Sequence, residues 1–556
     1  MKKYLKETWS AYVLSFVFCY MLFFYEPLTM YLSNVSDFWF GINTMFNMTS
    51  LLFLLVLLIM IIGLNVVYFL NRKKDKKIFK IITIILFVVF FCSYIQGNYL
   101  VGNLPLLDGS KIIWSDYKVD WIISIVLWIF VIGLVIILIK KITLNKMIKY
   151  TGFVGLAIFI MLSLSLTTSY FTSKDVTGDN FIPLTTNKDL NKYSRDKNFV
   201  ILLLDCVNST SYMKQLNKDD TFKDMLKDFT YYPDMMSYHG YTDESIPLIL
   251  TGKIYKNEAP IVEWSTEAYK NSHLFDLMEK NEYELNVYDP HLLYADSSSK
   301  RITNLFDSET NGYKGIRKTL FWKQEIKYIM FRYLPSFLKK FSSISSMSYR
   351  MSLLINKENR IKNDIYEEAN EAVYKELKNR EFTFVDNKVF KFIHTNGAHE
   401  PYTTNKKLEP INNATYHDAV DSSLTLTKYY LEMLKDNNVY DNTVIIIMAD
   451  HGFRNEDSQK GKQNPIFFIK GINDKHDKMK TSNKPISFVD LDGLYDDLIA
   501  GKKTSDLFSN IPDKRVRTYL SYTFQHKERM VEYETKDKAW ETDKMYRTGK
   551  VFEKKW

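Results

Sequence analysis

The stretch NFVILLLD, residues 198–205, is six apolar side chains in a row closed by an acid. A run without polar alternation is the pattern of a parallel strand covered on both faces. NTVIIIMAD, residues 442–450, repeats it and ends at Asp450, with His451 next. KVFKFIHT, 388–395, carries His394 at its end and leads to His399, and NPIFFIKG, 464–471, is a fourth run. Helical patterns lie between them, near 213–228, 266–280 and 361–379. Strand–helix alternation of this kind predicts a doubly wound α/β sheet. Sites in such sheets form at the C-terminal strand ends. Acids and imidazoles delivered there suit a hard or borderline divalent metal.

The rest of the chain is a different environment. Of 556 residues the first third is far more apolar than the remainder, which predicts two domains in two solvents. Five runs, near 11–33, 48–70, 78–100, 121–140 and 150–172, are long enough to span a bilayer, which takes roughly 20 residues each. More spans follow the first at once, so it is not a cleavable signal. Bases crowd alternate ends: Lys2, Lys3 and Lys6; Arg72, Lys73, Lys74, Lys76 and Lys77; Lys140, Lys141, Lys146 and Lys149. The intervening loops hold only Lys111 and Lys118. The positive-inside rule then places the N-terminus in the cytoplasm and everything after about Phe171 outside. The net charge of +9 is carried largely by these loops, so a membrane and not nucleic acid is the expected partner. The cysteines are Cys19, Cys92 and Cys206, and two of the three sit in apolar runs, so no disulfide framework is available. Cys206 reads as a small buried residue. The expected division is 1–172 as the transmembrane domain, 173–197 as linker and 198–556 as an extracytoplasmic catalytic domain.

TDESIPLILTG, 242–252, reads locally as a short helix, with the Thr242 hydroxyl as cap and Asp243 and Glu244 in the first turn. His239, three residues earlier, is given no role. The stretch TLFWKQEIKYIMFRYLPSFLKKF, 319–341, mixes apolar residues with Lys and Arg at helical spacing. It is expected to be a helix lying on the bilayer surface; the alternative is an amphipathic helix packed on the domain.

FVILLLDCVNSTSY, TDESIPLILTG, FIHTNGAHEPY and IIIMADHGFRNED occur in the order found in the alkaline-phosphatase/sulfatase superfamily, which the chain resembles over about 195–505. Thr242 falls where sulfatases carry the cysteine that becomes formylglycine. Glu244 and Ile246 stand at the Pro and Arg places that this modification needs, so a true sulfatase is not expected. A threonine there, behind several spans, resembles the lipoteichoic acid synthases and phosphoethanolamine transferases. The resemblance implies an α-helical five-span domain followed by an extracellular sulfatase-like α/β domain. It implies Asp205, Thr242, Asp450 and His451 as ligands of one divalent metal, Mn²⁺ first, with Zn²⁺ or Mg²⁺ as alternatives. It implies Thr242 as nucleophile, His399 as proton donor or phosphate contact, and His394 as a second substrate-binding residue. After Asp450-His451-Gly452 only His476 follows in 453–483, which argues against a second zinc site of the phosphoethanolamine-transferase kind.

The expected reaction moves a phosphoglycerol or phosphoethanolamine headgroup from phosphatidylglycerol or phosphatidylethanolamine, through a Thr-linked intermediate, to a cell-surface glycan or polymer. A domain outside the cell has no ATP, so its donor must carry an activated group already. The alternatives are a metal-dependent hydrolase of phosphodiesters or sulfate esters, and a non-enzymatic membrane scaffold with a degenerate domain. Degeneration predicts lost ligands, yet Asp205, Thr242, Asp450 and His451 are all present.

Overall fold

The computed structural model describes residues 2–33, 35, 41–71, 75–101, 112, 114–173, 184–222, 224–290, 292–294, 300–306, 318–342, 344, 366–453, 461–523 and 526–554. Arg72, Lys73, Lys74, Lys111 and residues 174–183 of the expected linker lie outside these residues, and the rest of that linker carries the short strands Leu184–Thr185 and Lys192–Ser194. The chain divides into two compact units, one of residues 1–180 and 313–358, the other of 181–312 and 359–556.

The first unit holds five helices long and apolar enough to cross a membrane: Lys2–Ser33, Ile42–Leu70, Lys77–Tyr99, Trp114–Ile142 and Leu144–Thr172. The first is interrupted. Pro27 has no N–H to continue the ladder, and the turn before it widens to a π-helix over Met21–Tyr25, with the Glu26 N–H bonded to Met21 O. Glu26 is thereby carried into the interior, 1% exposed.

The expected division is corrected at residues 318–342, which group with the spans despite their place in the sequence. Helix Lys318–Tyr333, expected to lie on the bilayer surface, packs against the spans. Phe321 packs with Leu28, Tyr31, Met45 and Met48, and Ile329 and Tyr333 pack among the other spans. Trp322 Nε1 donates to Met48 O at 3.1 Å. Arg332 Nε pairs with Glu26 Oε1 at 2.9 Å, and the Tyr328 and Tyr333 hydroxyls donate to the same carboxylate. Gly97 faces the Tyr333 ring so closely that any Cβ there would collide with it. Ile326, Met330, Phe337 and Phe341 stay on the outer side.

The second unit is built on a seven-stranded sheet. In chain order its strands are β1 (Asn198–Leu204), β2 (Thr230–Tyr231), β3 (Tyr283–Tyr288), β4 (Lys388–Thr395), β5 (Thr443–Met448), β6 (Phe467–Lys470) and β7 (Lys480–Thr481). The spatial order is β7-β2-β6-β5-β1-β4-β3. β5, β1, β4 and β3 are parallel, and β6 runs antiparallel to β5 and β2. Every residue of central β1 is buried. Phe199, Ile201 and Leu203 enter one core, and Val200, Leu202 and Leu204 the other, so helices on both faces are required.

The helices fall close to the expected places with sharper ends. The pattern at 266–280 is two helices, Ile261–Lys270 and His273–Lys280, the second capped by Ser272 Oγ accepting from Phe275 N at 3.0 Å. The pattern at 213–228 stops at Lys218, after which Asp219 accepts from Thr221 in a turn. Beyond the sheet, β8 (Arg517–Thr523), β9 (His526–Thr535) and β10 (Tyr546–Glu553) form an antiparallel sheet. It holds the chain on both sides of Thr242: Leu520 N donates to Tyr238 O at 2.7 Å, and Tyr522 Oη donates to Glu244 at 2.7 Å.

Candidate active site

β1 and β5 are neighbours in parallel register, Leu203 opposite Met448, so their terminal acids Asp205 and Asp450 come out side by side. Both are buried, 5% and 0% exposed. Each carboxylate has one oxygen committed. Asp450 Oδ1 accepts the backbone N–H of Cys206 at 3.1 Å and of His451 at 2.8 Å. Asp205 Oδ2 lies 3.4 Å from His394 Nε2. The remaining oxygens, Asp205 Oδ1 and Asp450 Oδ2, are buried without a hydrogen-bond partner. His451 donates Nδ1–H to Gly452 O at 2.9 Å, which leaves the Nε2 lone pair facing Asp450 Oδ2 at 3.4 Å.

The electrostatics follow from that packing. Burial and the charge on Asp205 push the Asp450 carboxyl up to about 7. Burial acts the same way on Asp205, but His399, His394 and His451 outweigh it and hold that carboxyl well below the usual range. Burial and the Lys462 ammonium bring His451 down to about 3, so its ring is neutral and able to ligate. Two neighbouring buried carboxylates with orphaned oxygens beside a neutral imidazole fit a divalent cation, which would relieve their repulsion. Asp205, Asp450 and His451 would hold it, with Thr242 at the edge.

Cys206 also reaches this space. One ligand atom each from Asp205, Cys206 and His451 lie within 4.8 Å of one another. The Cys206 backbone is left-handed, φ 61°, and its thiol points to Gly452 O at 3.8 Å. Burial and the neighbouring Asp205 push the thiol pKa well up, which ranks it behind the carboxylates for a hard ion. A softer ion such as Zn²⁺ would recruit it.

Thr242 opens helix Thr242–Thr251, but it is not the cap. The cap position is Tyr241, which makes no side-chain cap bond. The Thr242 side chain instead lies beside Asp450 and favours its charged form. The helix therefore starts with a hydroxyl that is not spent on capping, at the positive end of its dipole. Asp243 is exposed and Glu244 is turned inward to Tyr522.

His399 is half-buried and donates Nδ1–H to Glu400 O at 2.6 Å, leaving Nε2 as the reactive nitrogen. Its loop depends on Gly397, φ 54°, where any Cβ would run into the Asp205 backbone. Asn370 holds the loop from both sides, donating to Gly397 O and accepting from Gly397 N. His394, expected as a second substrate-binding residue, is 0% exposed, and its nitrogens face Asp289 and Asp205. Burial opposes its charge, but Asp289, Asp205 and Glu368 raise its pKa well above the usual value. His239 is buried and brought down to about 3 by burial and Lys256.

Cys206 and Lys462 were not legible as site residues. Lys462 lies 4.2 Å from the centroid of the ring of Tyr241, the residue before Thr242. Its only sequence signal is a base between the Asp-His-Gly turn and the following strand.

Solved structures of similar fold include Ps i-CgsB with k-i-k-neocarrahexaose, at 17% identity over 61% of this chain and 82% of that one, TM-score 0.40. The lipoteichoic acid synthase LtaP from Listeria monocytogenes has 14% identity over 62% and 83%, TM-score 0.34. The C-terminal periplasmic domain of EcEptC from Escherichia coli has 13% identity over 66% and 97%, TM-score 0.31. No curated protein matches the chain. The Sulfatase family model matches residues 197–491, more than half of the sequence and all seven strands of the central sheet, and the chain therefore belongs to the sulfatase family.

Proposed function

We propose that the protein is a membrane-anchored phosphotransferase that moves a phospholipid headgroup, phosphoglycerol before phosphoethanolamine, to a cell-surface glycan or polymer through Thr242. The observation that carries this is the Thr242 hydroxyl, uncapped at a helix N-terminus and beside the Asp450 carboxylate. The Thr242 Oγ–phosphorus bond forms as the phosphorus–oxygen bond to diacylglycerol breaks. The hydroxyl proton passes from Thr242 to water, and His399 Nε2, in the protonated imidazolium, gives one to the departing glycerol oxygen. An acceptor hydroxyl then displaces Thr242, and the proton traffic reverses. The first backbone N–H groups of the helix stabilise the charge that develops on phosphorus oxygens. A divalent ion in the centre would neutralise a phosphoryl oxygen and lower the pKa of a coordinated hydroxyl.

Support for a lipid donor comes from five apolar helices in the same chain. With the N-terminus inside, as the loop bases imply, the catalytic unit works outside the cell. The test supplies headgroup-labelled phosphatidylglycerol or phosphatidylethanolamine and Mn²⁺ to the full chain. Label should be trapped on wild type and absent from Thr242→Ala. Full turnover by Thr242→Ala would overturn the reading.

A further inference from the structure

Three adjacent parallel strands deliver three ionisable groups in a row behind the site. Leu203 of β1 pairs with His394 of β4, and Tyr288 of β3 pairs with Ile393 of β4. Asp205 and Asp289 therefore follow the ends of the two outer strands of the trio, with His394 between them. Asp289 Oδ1 meets His394 Nδ1 at 2.8 Å, and His394 Nε2 meets Asp205 Oδ2 at 3.4 Å. Asp289 and His394 are both 0% exposed. Asp289 is itself fixed: its N–H donates to Thr185 Oγ1 at 3.1 Å, and that hydroxyl donates back to Asp289 O at 3.0 Å. Tyr366 Oη donates to His394 O at 2.6 Å.

Neither Asp289 nor His394 reaches the substrate side, so neither is a catalytic residue. What they control is which oxygen Asp205 presents. With Oδ2 in an ion-pair contact with the imidazole at 3.4 Å, Oδ1 is the buried Asp205 oxygen without a hydrogen-bond partner and the one offered to a cation. A carboxylate without that restraint rotates about its last bond, and a ligand atom loses its fixed place. We propose that Asp289 and His394 are positioning residues that set the affinity of the centre for a divalent cation by orienting Asp205; this rests on the metal reading given above. Removal of outer-shell partners of this kind costs about tenfold to a hundredfold in metal affinity.

The experiment titrates Mn²⁺ calorimetrically into the full chain in detergent, with melting of each metal-free variant as the folding control. Asp289→Asn and His394→Ala should each weaken Mn²⁺ binding about tenfold to a hundredfold. The double variant should bind no more weakly than His394→Ala, because both effects pass through one oxygen. His394→Gln, which keeps a donor toward Asp205, should recover part of the loss. Asp289→Asn carries the test if His394→Ala does not fold. Wild-type affinity in the folded variants, or additive losses in the double variant, would overturn the proposal. A wild type that binds none of Mn²⁺, Zn²⁺ and Mg²⁺ would instead sink the metal reading itself, which is a separate outcome.

Discussion

The Asp450 carboxylate accepts the backbone N–H of Cys206 at 3.1 Å, which ties the end of β5 to the turn that follows Asp205. The bond fixes one Asp450 oxygen and aims the other at the site. It also means that Asp450 must be ionised to serve as a ligand, although burial and Asp205 have raised its pKa to about 7. His451, near 3, has no proton to lose above pH 5. Below pH 7 the proton on Asp450 competes with a cation, so affinity should fall about tenfold per pH unit there. Titrations at pH 6 in buffers of different ionisation enthalpy should show close to one proton released per Mn²⁺. Asp450→Asn should abolish both the release and most of the binding.

Cys206 offers a way to name the ion. Its thiol sits in the cluster but stays protonated in the protein without metal. Cys206→Ser should leave Mn²⁺ affinity unchanged, because a hard ion is held by the carboxylates. The same variant should lose Zn²⁺ affinity, because a soft ion takes the thiolate. Competition titrations of the two ions against wild type and variant read this directly.

The ends of the long apolar runs were legible because a buried parallel strand has no polar alternation to hide in. Asp205, Asp450 and His451 follow such runs directly. What the run does not encode is direction, so the antiparallel course of β6 came only from the structure. Asp289 was missed for a related reason: its strand, YELNVY, alternates polar and apolar residues and does not resemble a covered strand. Asn286 within it is nonetheless 0% exposed. Helix Lys318–Tyr333 was legible as amphipathic, but its partner Glu26 lies 306 residues from Arg332, a pairing no local pattern announces. The Thr242 reading needed one correction of position, from cap to first helical residue, and that shift frees the hydroxyl.

Gly397 is where backbone geometry governs the site most directly. A side chain there meets the Asp205 backbone, and the left-handed conformation adds about 1–2 kcal/mol for a non-glycine residue. Gly397→Ala should therefore lower the melting temperature and, by displacing Asp205, weaken Mn²⁺ binding as well. Gly493→Ala, at a position where a Cβ meets nothing within 4 Å, is the control and should bind Mn²⁺ as wild type does.

The Glu26–Arg332 pair makes an asymmetric prediction about the membrane unit. The Glu26 side chain is 1% exposed, whereas that of Arg332 is 31% exposed. Removing Arg332 strands a carboxylate in the interior, with only the Tyr328 and Tyr333 hydroxyls to hold it. Breaking a buried pair from that side costs about 3–5 kcal/mol. Removing Glu26 leaves a guanidinium that keeps its bond to Gly97 O and can turn outward, so the loss should be smaller. Arg332→Met should thus melt well below Glu26→Gln in detergent. The double variant, with no charge left to strand, should be more stable than Arg332→Met alone. Equal losses in the two single variants, with simple addition in the double, would mean that the pair does not bind helix Lys318–Tyr333 to the spans.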